Sequence, residues 1–421
     1  MKILYISQYF PPEAGATQTR AFENVRYLKS KGHDVVVLCE IPNHPAGIIF
    51  KGYRGKLFKK EVLEGIEVLY IRVFTSQRKN FFTRLSFYFT FMAGAYFAGM
   101  GILRKKFDLI YASSPPLPAA VAGLWLSLHR NIPFYFEVRD LWPDSAVVLG
   151  ELNNPFIIKT ARRFEYMCYS GAEKVIGVTN GIVKILKQEK QIPSHKLELI
   201  PNGATIDSFY RDEAEGKRLR IELGLLDKFI ILYAGILGIA QNLEIMIHAA
   251  YELKNYEDIY FLVAGAGPKK TMLESMAARL ELKNLKFLGE FPRKAMPALY
   301  SAVDASLVPL ADKEIFKHAR PSKLFDAWAC ETPVLLGIDG EAKELLNQCR
   351  GGISYKPDNY KSLAEKIMEL KRLPLEKQRE MGRSARKYVE KFHSRQAYAE
   401  KLEKIISYKK KAAIKTRIRK H

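Results

Sequence analysis

Residues 229–267 read FIILYAGILGIAQNLEIMIHAAYELKNYEDIYFLVAGAG. FIILYAG (229–235) is a short, continuous apolar run closed by glycine, the pattern of a strand buried on both faces. NLEIMIHAAYELKN spaces its apolar residues by three and four and predicts an amphipathic helix. IYFLVAG then supplies a second buried strand. Strand, helix and strand in direct succession make a parallel βαβ unit.

The same pattern extends both ways. Downstream come a helix in KKTMLESMAARLEL, a strand in LKFLGE, a short helix in MPALYSA and a strand in ASLVPL. A helix follows in the stretch RPSKLFDAWA (320–329), and then a strand in PVLLGI. Upstream, an independent series reads KILYIS, DVVVLC, VLYIRV (68–73), DLIYAS (108–113), PFYFEV (133–138) and KVIGVT (174–179), with helical patterns between several of them. TRAFENVRYLKSKG is one such helix, with Gly32 as its stop signal. The pattern restarts after LELIPNGAT (197–205), and residues from SLAEKIMELKRL onward are helical. With 421 residues, the chain exceeds one ordinary core. The expected architecture is α/β: two Rossmann-like doubly wound domains facing across a cleft. They span 1–195 and 196–380, and C-terminal helices over 381–421 return to the first domain and end in a basic tail. A cleft at the carboxyl ends of parallel strands is where ligands bind in such sheets.

A net charge of +22 calls for an anionic partner, whether phosphorylated substrate, anionic lipid or nucleic acid. The basic residues gather in the tail KKKAAIKTRIRKH, in RGKLFKK (54–60) and at both ends of an apolar segment. They are not interleaved with aromatics on one face, so nucleic acid is not expected. The apolar segment, FFTRLSFYFTFMAGAYFAGMGIL (81–103), has one charge, Arg84, and is flanked by Arg78, Lys79, Arg104, Lys105 and Lys106. Because βαβ patterns lie on both sides, a membrane span is not expected. The segment reads either as a helix buried under the first sheet or as one lying in the membrane interface, which the +22 charge favours, and one helix can do both with its two faces. The four cysteines form no metal-binding spacing, and three of them, Cys39, Cys168 and Cys330, sit in apolar contexts and read as buried thiols of a reduced compartment. The start MKILYISQYF is too short for a secretory leader and runs into a polar loop. A cytoplasmic, peripheral-membrane protein is the expectation.

Three loops carry candidate chemistry. Gly15, after the first strand, lets backbone N–H groups approach a phosphate or sugar. FEVRDLWPDS crowds Glu137, Arg139, Asp140 and Asp144 at the end of a buried strand. In YAGILGIAQNLE, Gly235, Gly238 and Gln241 form a phosphate-approach loop without a Walker lysine. VAGAGP lacks the third glycine of a dinucleotide fingerprint and reads as a tight turn. The helix at 320–329 opens with Arg320 and Lys323 at its positive end, where the macrodipole disfavours cations. Pro321 suits the first turn, Ser322 can cap it, and Lys323 and Asp326 share a face by their spacing. An anion bound there explains the cations.

GAT-x-TR, EVRDLWPDS, LIPNGAT, YAG-x-x-G-x-AQNLE, RPSKLFDAWA-x-x-TPVLLG-x-x-GEA and GGISYKPDNYKSLAEKI, in this order, resemble the retaining GT-B glycosyltransferases of family GT4. Within that family they look most like the subgroup that builds bacterial surface polysaccharides on a lipid carrier. The resemblance covers residues 1 to about 400. It implies a nucleotide-sugar donor held mainly by the second domain, a lipid-linked sugar acceptor held by the first, and an anionic membrane surface nearby. No cofactor and no metal are expected. By this likeness Lys323 and Arg320 neutralise the donor diphosphate and Asp326 holds the ribose. The backbone at Phe287, Leu288 and Gly289 holds the base, and Asn202, Ser322 and Leu324 complete the donor site. Thr17, Arg20, Asn43, His44, Arg139 and Trp142 are expected around the acceptor, with Asp140 activating it or stabilising charge at the anomeric carbon. Family members commonly carry a Glu–x7–Glu pair over this helix. Here Asp326 takes the second position and His318 the first, so His318 joins Asp140 and Lys323 as a catalytic candidate. The Arg and Lys that many members have after the AG strand are replaced by Gly238 or Ile239 and Gln241. An epimerase of nucleotide sugars needs paired acids that these loops do not display, and it stands as the alternative enzyme class.

Overall fold

The computed structural model describes residues 1–13, 15–44, 46–77, 81–102 and 106–418, with only the backbone of Phe81 and of 409–418. The chain divides into two compact units, 1–201 together with the segment from Arg395, and 202–394.

The first unit runs β1 (Lys2–Ile6), α1 (Ala16–Ser30), β2 (Asp34–Glu40), β3 (Phe58–Leu63), β4 (Ile66–Ile71), α2 (Phe81–Ile102), β5 (Leu109–Ser114), α3 (Leu117–Arg130), β6 (Phe134–Val138), α4 (Asp144–Val148), α5 (Pro155–Gly171), β7 (Lys174–Gly177), α6 (Asn180–Gln188) and β8 (Leu197–Leu199). Its sheet has the order β3-β4-β2-β1-β5-β6-β7-β8. Every pairing is parallel except that of β3 with β4. This edge hairpin turns through Glu64 (φ 48°) and Gly65 (φ 78°), both in the left-handed region that two-residue hairpins require. The stretch read only as basic, RGKLFKK, therefore runs into an edge strand whose side chains alternate between exposed and half-buried. α1 ends at Ser30, with Gly32 at φ 81° just beyond it.

The second unit runs α7 (Glu213–Leu223), β9 (Phe229–Ala234), α8 (Glu244–Glu252), β10 (Ile259–Ala264), α9 (Lys270–Arg279), β11 (Leu285–Gly289), α10 (Met296–Ser301), β12 (Ala305–Pro309), α11 (Ser322–Ala329), β13 (Val334–Gly337), α12 (Glu341–Cys349), β14 (Gly352–Ser354), α13 (Tyr360–Arg372) and α14 (Leu375–Phe392). The sheet order is β11-β10-β9-β12-β13-β14, all parallel. Tyr233, Phe261, Val263 and Leu335 form its core with Ile245 and Met246 of α8 and Leu363 and Ile367 of α13.

The return to the first unit begins at Arg395, later than the expected 381. α14 stays on the second unit because it docks too closely to leave. A Cβ on Gly382 would sit 2.1 Å from the Glu331 carbonyl oxygen, and Arg386 donates to the Ala329 carbonyl at 2.7 Å. α15 (Arg395–Ile418) then completes the first core, where Leu402 and Ile406 are buried with Val25 and Leu28 of α1. The four cysteines are buried free thiols.

α2 is a 22-residue helix. It packs on α3, β2 and β4, with Phe91 and Ala95 fully buried, while Phe82 and Phe97 are 75% and 71% exposed. By length and composition it could cross a membrane, although less than a quarter of its most apolar window is buried in the protein. Of its expected cationic flanks, Arg78, Lys79, Arg104 and Lys105 lie outside the described residues, as does the end of the basic tail from residue 419.

Candidate active site

In the second unit, the candidate donor residues gather where β9, β11 and β12 end and α11 begins. Pro321 takes the cap position of α11, because its ψ of 133° is not helical, and Ser322 is the first helical residue. No side chain caps this helix, contrary to the expected role of Ser322. Lys323 projects from the first turn onto the face of Tyr233, with Nζ 3.8 Å from the ring centroid. The Tyr233 hydroxyl donates to the Ile236 carbonyl at 2.6 Å and folds the loop after β9 beneath it. Gly235, in this loop, has φ 142°, and a Cβ there would lie 3.0 Å from Lys323 Nζ. Glycine thus keeps the space beside the ammonium open. Lys323 is half-buried and has no ion pair among the described residues. Burial pushes its pKa down to about 7. The aromatic face favours the cation, but it cannot replace the lost hydration that an anion would compensate.

Arg320 behaves differently from its expected role beside the diphosphate. It is buried and forms an ion pair with Glu341, itself buried, at the start of α12. The pair ties the entry of α11 to the GEA segment, so the guanidinium spends its charge inside the unit. Behind it, burial and then the charge of Arg320 push the His393 pKa down to about 4, and the ring packs on Phe325. Leu324 is fully buried, which leaves only its backbone to meet a donor. Asp326 is half-buried and close to Tyr300 and Cys330, whose pKa values it helps to raise after burial itself. His318 is half-buried at the end of the turn Glu314–His318, between β12 and α11. Asn202 is the first residue of this unit. Gln241 folds over Gly238, where a Cβ would meet its Oε1 at 2.6 Å. The loop is pinned by Asp358, which accepts from Asn242 Nδ2 at 2.5 Å and from the Asp312 N–H at 2.7 Å. Phe287 packs its ring on the core, and β11 is the edge strand, so the backbone of 287–289 has one unpaired side. The Gly289 carbonyl is already used by the Gly265 N–H at 2.6 Å.

In the first unit, several expected acceptor residues turn out to brace one another. Arg20, 6% exposed, donates to Glu137 Oε1 at 2.9 Å and to the carbonyls of Ile200 and Pro201 at 2.7 and 2.8 Å. Glu137 also accepts from the Tyr111 hydroxyl at 2.9 Å and from Ser113 Oγ at 2.6 Å. Burial raises its pKa, but Arg20, Arg139 and Ser113 outweigh that and hold the carboxyl below its usual range. Arg139 donates to Thr17 Oγ1 and, at 2.7 Å, to the Pro115 carbonyl. Thr17, Arg20 and Arg139 thus tie the first turns of α1 to the segments after β5, β6 and β8. Gly15 begins α1 with no side-chain cap. Asp140 accepts from Ser145 Oγ at 2.9 Å, and burial raises its pKa. Trp142, half-exposed, lines an apolar cavity.

Sequence reasoning misses a carboxyl pair at this end of the sheet. Glu13 Oε1 accepts from the backbone N–H groups of Asn43 and His44 at 2.7 and 2.8 Å. Glu40 accepts from Gln8 Nε2 at 2.7 Å and from Asn43 Nδ2 at 2.9 Å. Both carboxyls are buried. Burial pushes the Glu13 pKa up to about 7 against these backbone donors, and burial with the neighbouring Glu13 pushes Glu40 well up. The available signal is an acid in the proline-rich loop after β1 and another at the last position of β2, two strands that pair in register.

Comparisons with known proteins agree with the fold. The family model "Glycosyl transferase 4-like domain" matches residues 15–203, and "Glycosyl transferases group 1" matches 217–388. A putative colanic acid biosynthesis glycosyl transferase, WcaI of Escherichia coli K12, is 26% identical over 382 residues, 89% of this chain and 93% of that protein. Among solved structures, Anabaena HepE in complex with UDP and glucose superimposes with a TM-score of 0.73 at 19% identity, covering 97% of this chain and all of that one. WaaG, a glycosyltransferase involved in lipopolysaccharide biosynthesis, gives 0.70 at 15% identity over 96% and 99%. With one such model on each unit, and relatives along nearly its whole length, the chain belongs to the GT4 glycosyltransferases of GT-B fold and resembles those of bacterial surface polysaccharide synthesis.

Proposed function

We propose that this glycosyltransferase moves a sugar, with retention of configuration, from a nucleotide sugar to a polyprenyl-diphosphate-linked sugar in bacterial surface polysaccharide synthesis. The observation that carries the donor half is Lys323, a half-buried ammonium with no ion pair among the described residues, held over Tyr233 beside the glycine at 235. A diphosphate supplies the missing charge. As the glycosidic bond breaks, negative charge grows on the leaving diphosphate, and a preorganised cation with uncapped helix N–H groups stabilises it. Lys323 supplies this without a metal ion. Asp140, whose pKa burial raises, is the residue assigned to the acceptor hydroxyl or the anomeric charge. HepE, of the same fold, was solved with UDP and glucose, and this supports a uridine nucleotide as the first donor to try. α2, with its open aromatic face, supports a position on the inner surface of the cytoplasmic membrane.

The test is a thermal-shift screen of UDP-, GDP- and dTDP-sugars, followed by transfer assays with Lys323→Ala. Donor binding and turnover unchanged in that variant would refute the diphosphate assignment. Loss of transfer on EDTA treatment, restored by a divalent cation, would refute the metal-free mechanism.

A further inference from the structure

The edge hairpin of the first sheet, with the loop that enters it, presents apolar side chains to solvent. Residues 48–62 read IIFKGYRGKLFKKEV. Ile48, Phe50, Leu57, Phe58 and Val62 are exposed, Leu57 and Val62 by 66% and 71%. All four exposed charged residues of this stretch, Lys51, Arg54, Lys56 and Lys60, are cations. Its one acid, Glu61, is half-buried and accepts from the Tyr53 hydroxyl at 2.7 Å. The stretch is fixed in place. The Phe50 N–H donates to the Pro42 carbonyl and the Arg72 N–H to the Leu57 carbonyl, each at 2.9 Å. Tyr53 is buried edge-on against Tyr70, with ring centroids 5.2 Å apart.

Strand register tells which way this surface faces. Residues directly opposite in an antiparallel pair share a face of the sheet. Phe58, Lys60 and Val62 stand opposite Ile71, Leu69 and Glu67 of β4. Val68 and Tyr70, on the other face, join Val25 and Leu28 of α1 in the core. Ile71 instead meets α2, where a Cβ on Gly94 would lie 2.7 Å from its Cγ2. Phe58, Lys60 and Val62 therefore point to the side of the sheet that carries α2, and α2 leaves them uncovered. The loop also touches the chain entering α2: a Cβ on Gly47 would lie 2.2 Å from the Ser76 carbonyl oxygen. Exposed Phe82, in the first turn of α2, follows shortly after.

The chemistry of the surface selects its occupant. A second copy pairing on this edge would set cation against cation, which is how edge lysines keep sheets apart. Nucleic acid offers phosphates and stacking faces but leaves the aliphatic Ile48, Leu57 and Val62 without a partner. An anionic lipid surface meets both needs, with headgroups for the cations and the acyl boundary for the apolar side chains. We infer that residues 48–62 form a second contact with anionic lipid beside that of α2. The inference rests on the membrane position proposed above. One helix lying in an interface leaves rotation about its own axis free, and a contact on the edge strand removes that freedom.

The native cysteines are buried, so one introduced cysteine can carry the environment-sensitive fluorophore NBD. The full chain labelled through Leu57→Cys or Val62→Cys is mixed with phosphatidylglycerol vesicles containing spin-labelled acyl chains. Lys31→Cys, at the end of α1 across the sheet, is the control. The probes at 57 and 62 should shift to the blue and be quenched by the spin label, and the probe at 31 should do neither. A cation at an anionic surface is worth about fivefold in partitioning, so Lys56→Glu with Lys60→Glu should weaken vesicle binding by roughly 25-fold or more. Both positions are exposed, and the melting temperature should not change. Vesicle binding with no response at 57 and 62, or undiminished binding by the double variant, overturns the second contact and leaves that of α2 standing. A shift produced without vesicles by raising the protein concentration, or by single-stranded DNA, gives the surface to a second copy or to nucleic acid and also overturns it. Failure of the wild-type protein to bind vesicles at all overturns the membrane reading and this inference together.

Discussion

Lys323 makes donor binding depend on pH in a way that can be calculated. Its pKa is pushed down from 10.5 to about 7 by burial, and a diphosphate beside it restores the charged form. Between these values, binding draws a proton from solvent. In the free protein the ammonium is about nine-tenths protonated at pH 6 and one-tenth at pH 8, so the Kd for a nucleotide sugar should rise about tenfold between them, ~1.4 kcal/mol. Nucleotide sugars are diphosphate diesters and do not titrate in this range, so the slope belongs to the protein. Isothermal calorimetry at pH 8 in buffers of different ionisation enthalpy should give an uptake near one proton per donor bound. Lys323→Ala should abolish the uptake and weaken binding at pH 6 by roughly 10- to 150-fold, the ~1.5–3 kcal/mol of a hydrogen bond to a charged group. Lys323→Arg should keep the charge at all pH values and flatten the profile. The sign is checked without ligand: in the window from 7 to 10.5 the unfolded chain binds the extra proton, so the free protein gains stability as pH rises through it. A flat wild-type profile with no proton uptake would refute the reasoning.

Glu13 predicts the opposite slope. Its carboxyl stays protonated to about pH 7 when folded but only to 4.5 when unfolded, so stability falls as pH rises through that window. The contribution is about 3 kcal/mol, and urea midpoints of Glu13→Gln measured at pH 5 and 8 should show the fall reduced. Arg320→Ala strands buried Glu341 and should cost about 3–5 kcal/mol, read as a lower melting temperature, with Arg320→Ala plus Glu341→Ala recovering part of it. Liposome flotation with anionic vesicles should retain the wild-type protein and release Phe82→Asp with Phe97→Asp, and equal flotation of both would sink the membrane reading of α2.

The strands were legible because each is an unbroken apolar run, and parallel strands covered on both faces leave little room for another reading. β3 escaped because it is an edge strand with no fully buried side chain, and its FKKEVL looks like a charged loop. Lys323 was legible because the dipole makes a cation at a helix start anomalous. Arg320, three residues earlier, raised the same signal but has a partner, Glu341, that only the fold brings near. Arg20 and Glu137 are 117 residues apart and meet through the sheet. The Glu13 and Glu40 pair was hidden for the same reason: separation along the chain says nothing about register. The apolar cavity needs four helices to enclose it, and no one of them carries its signature.

The return of the last helix to the first unit has a kinetic meaning. Leu402 and Ile406 fill a core otherwise built by residues 1–201, so that core stays open until the whole second unit has left the ribosome. At synthesis rates of about 5–20 residues per second, translating the intervening segment takes on the order of 10–40 s. Throughout that interval Val25 and Leu28 present an uncovered apolar seam on the nascent chain, an opening for a chaperone or for a neighbouring nascent copy.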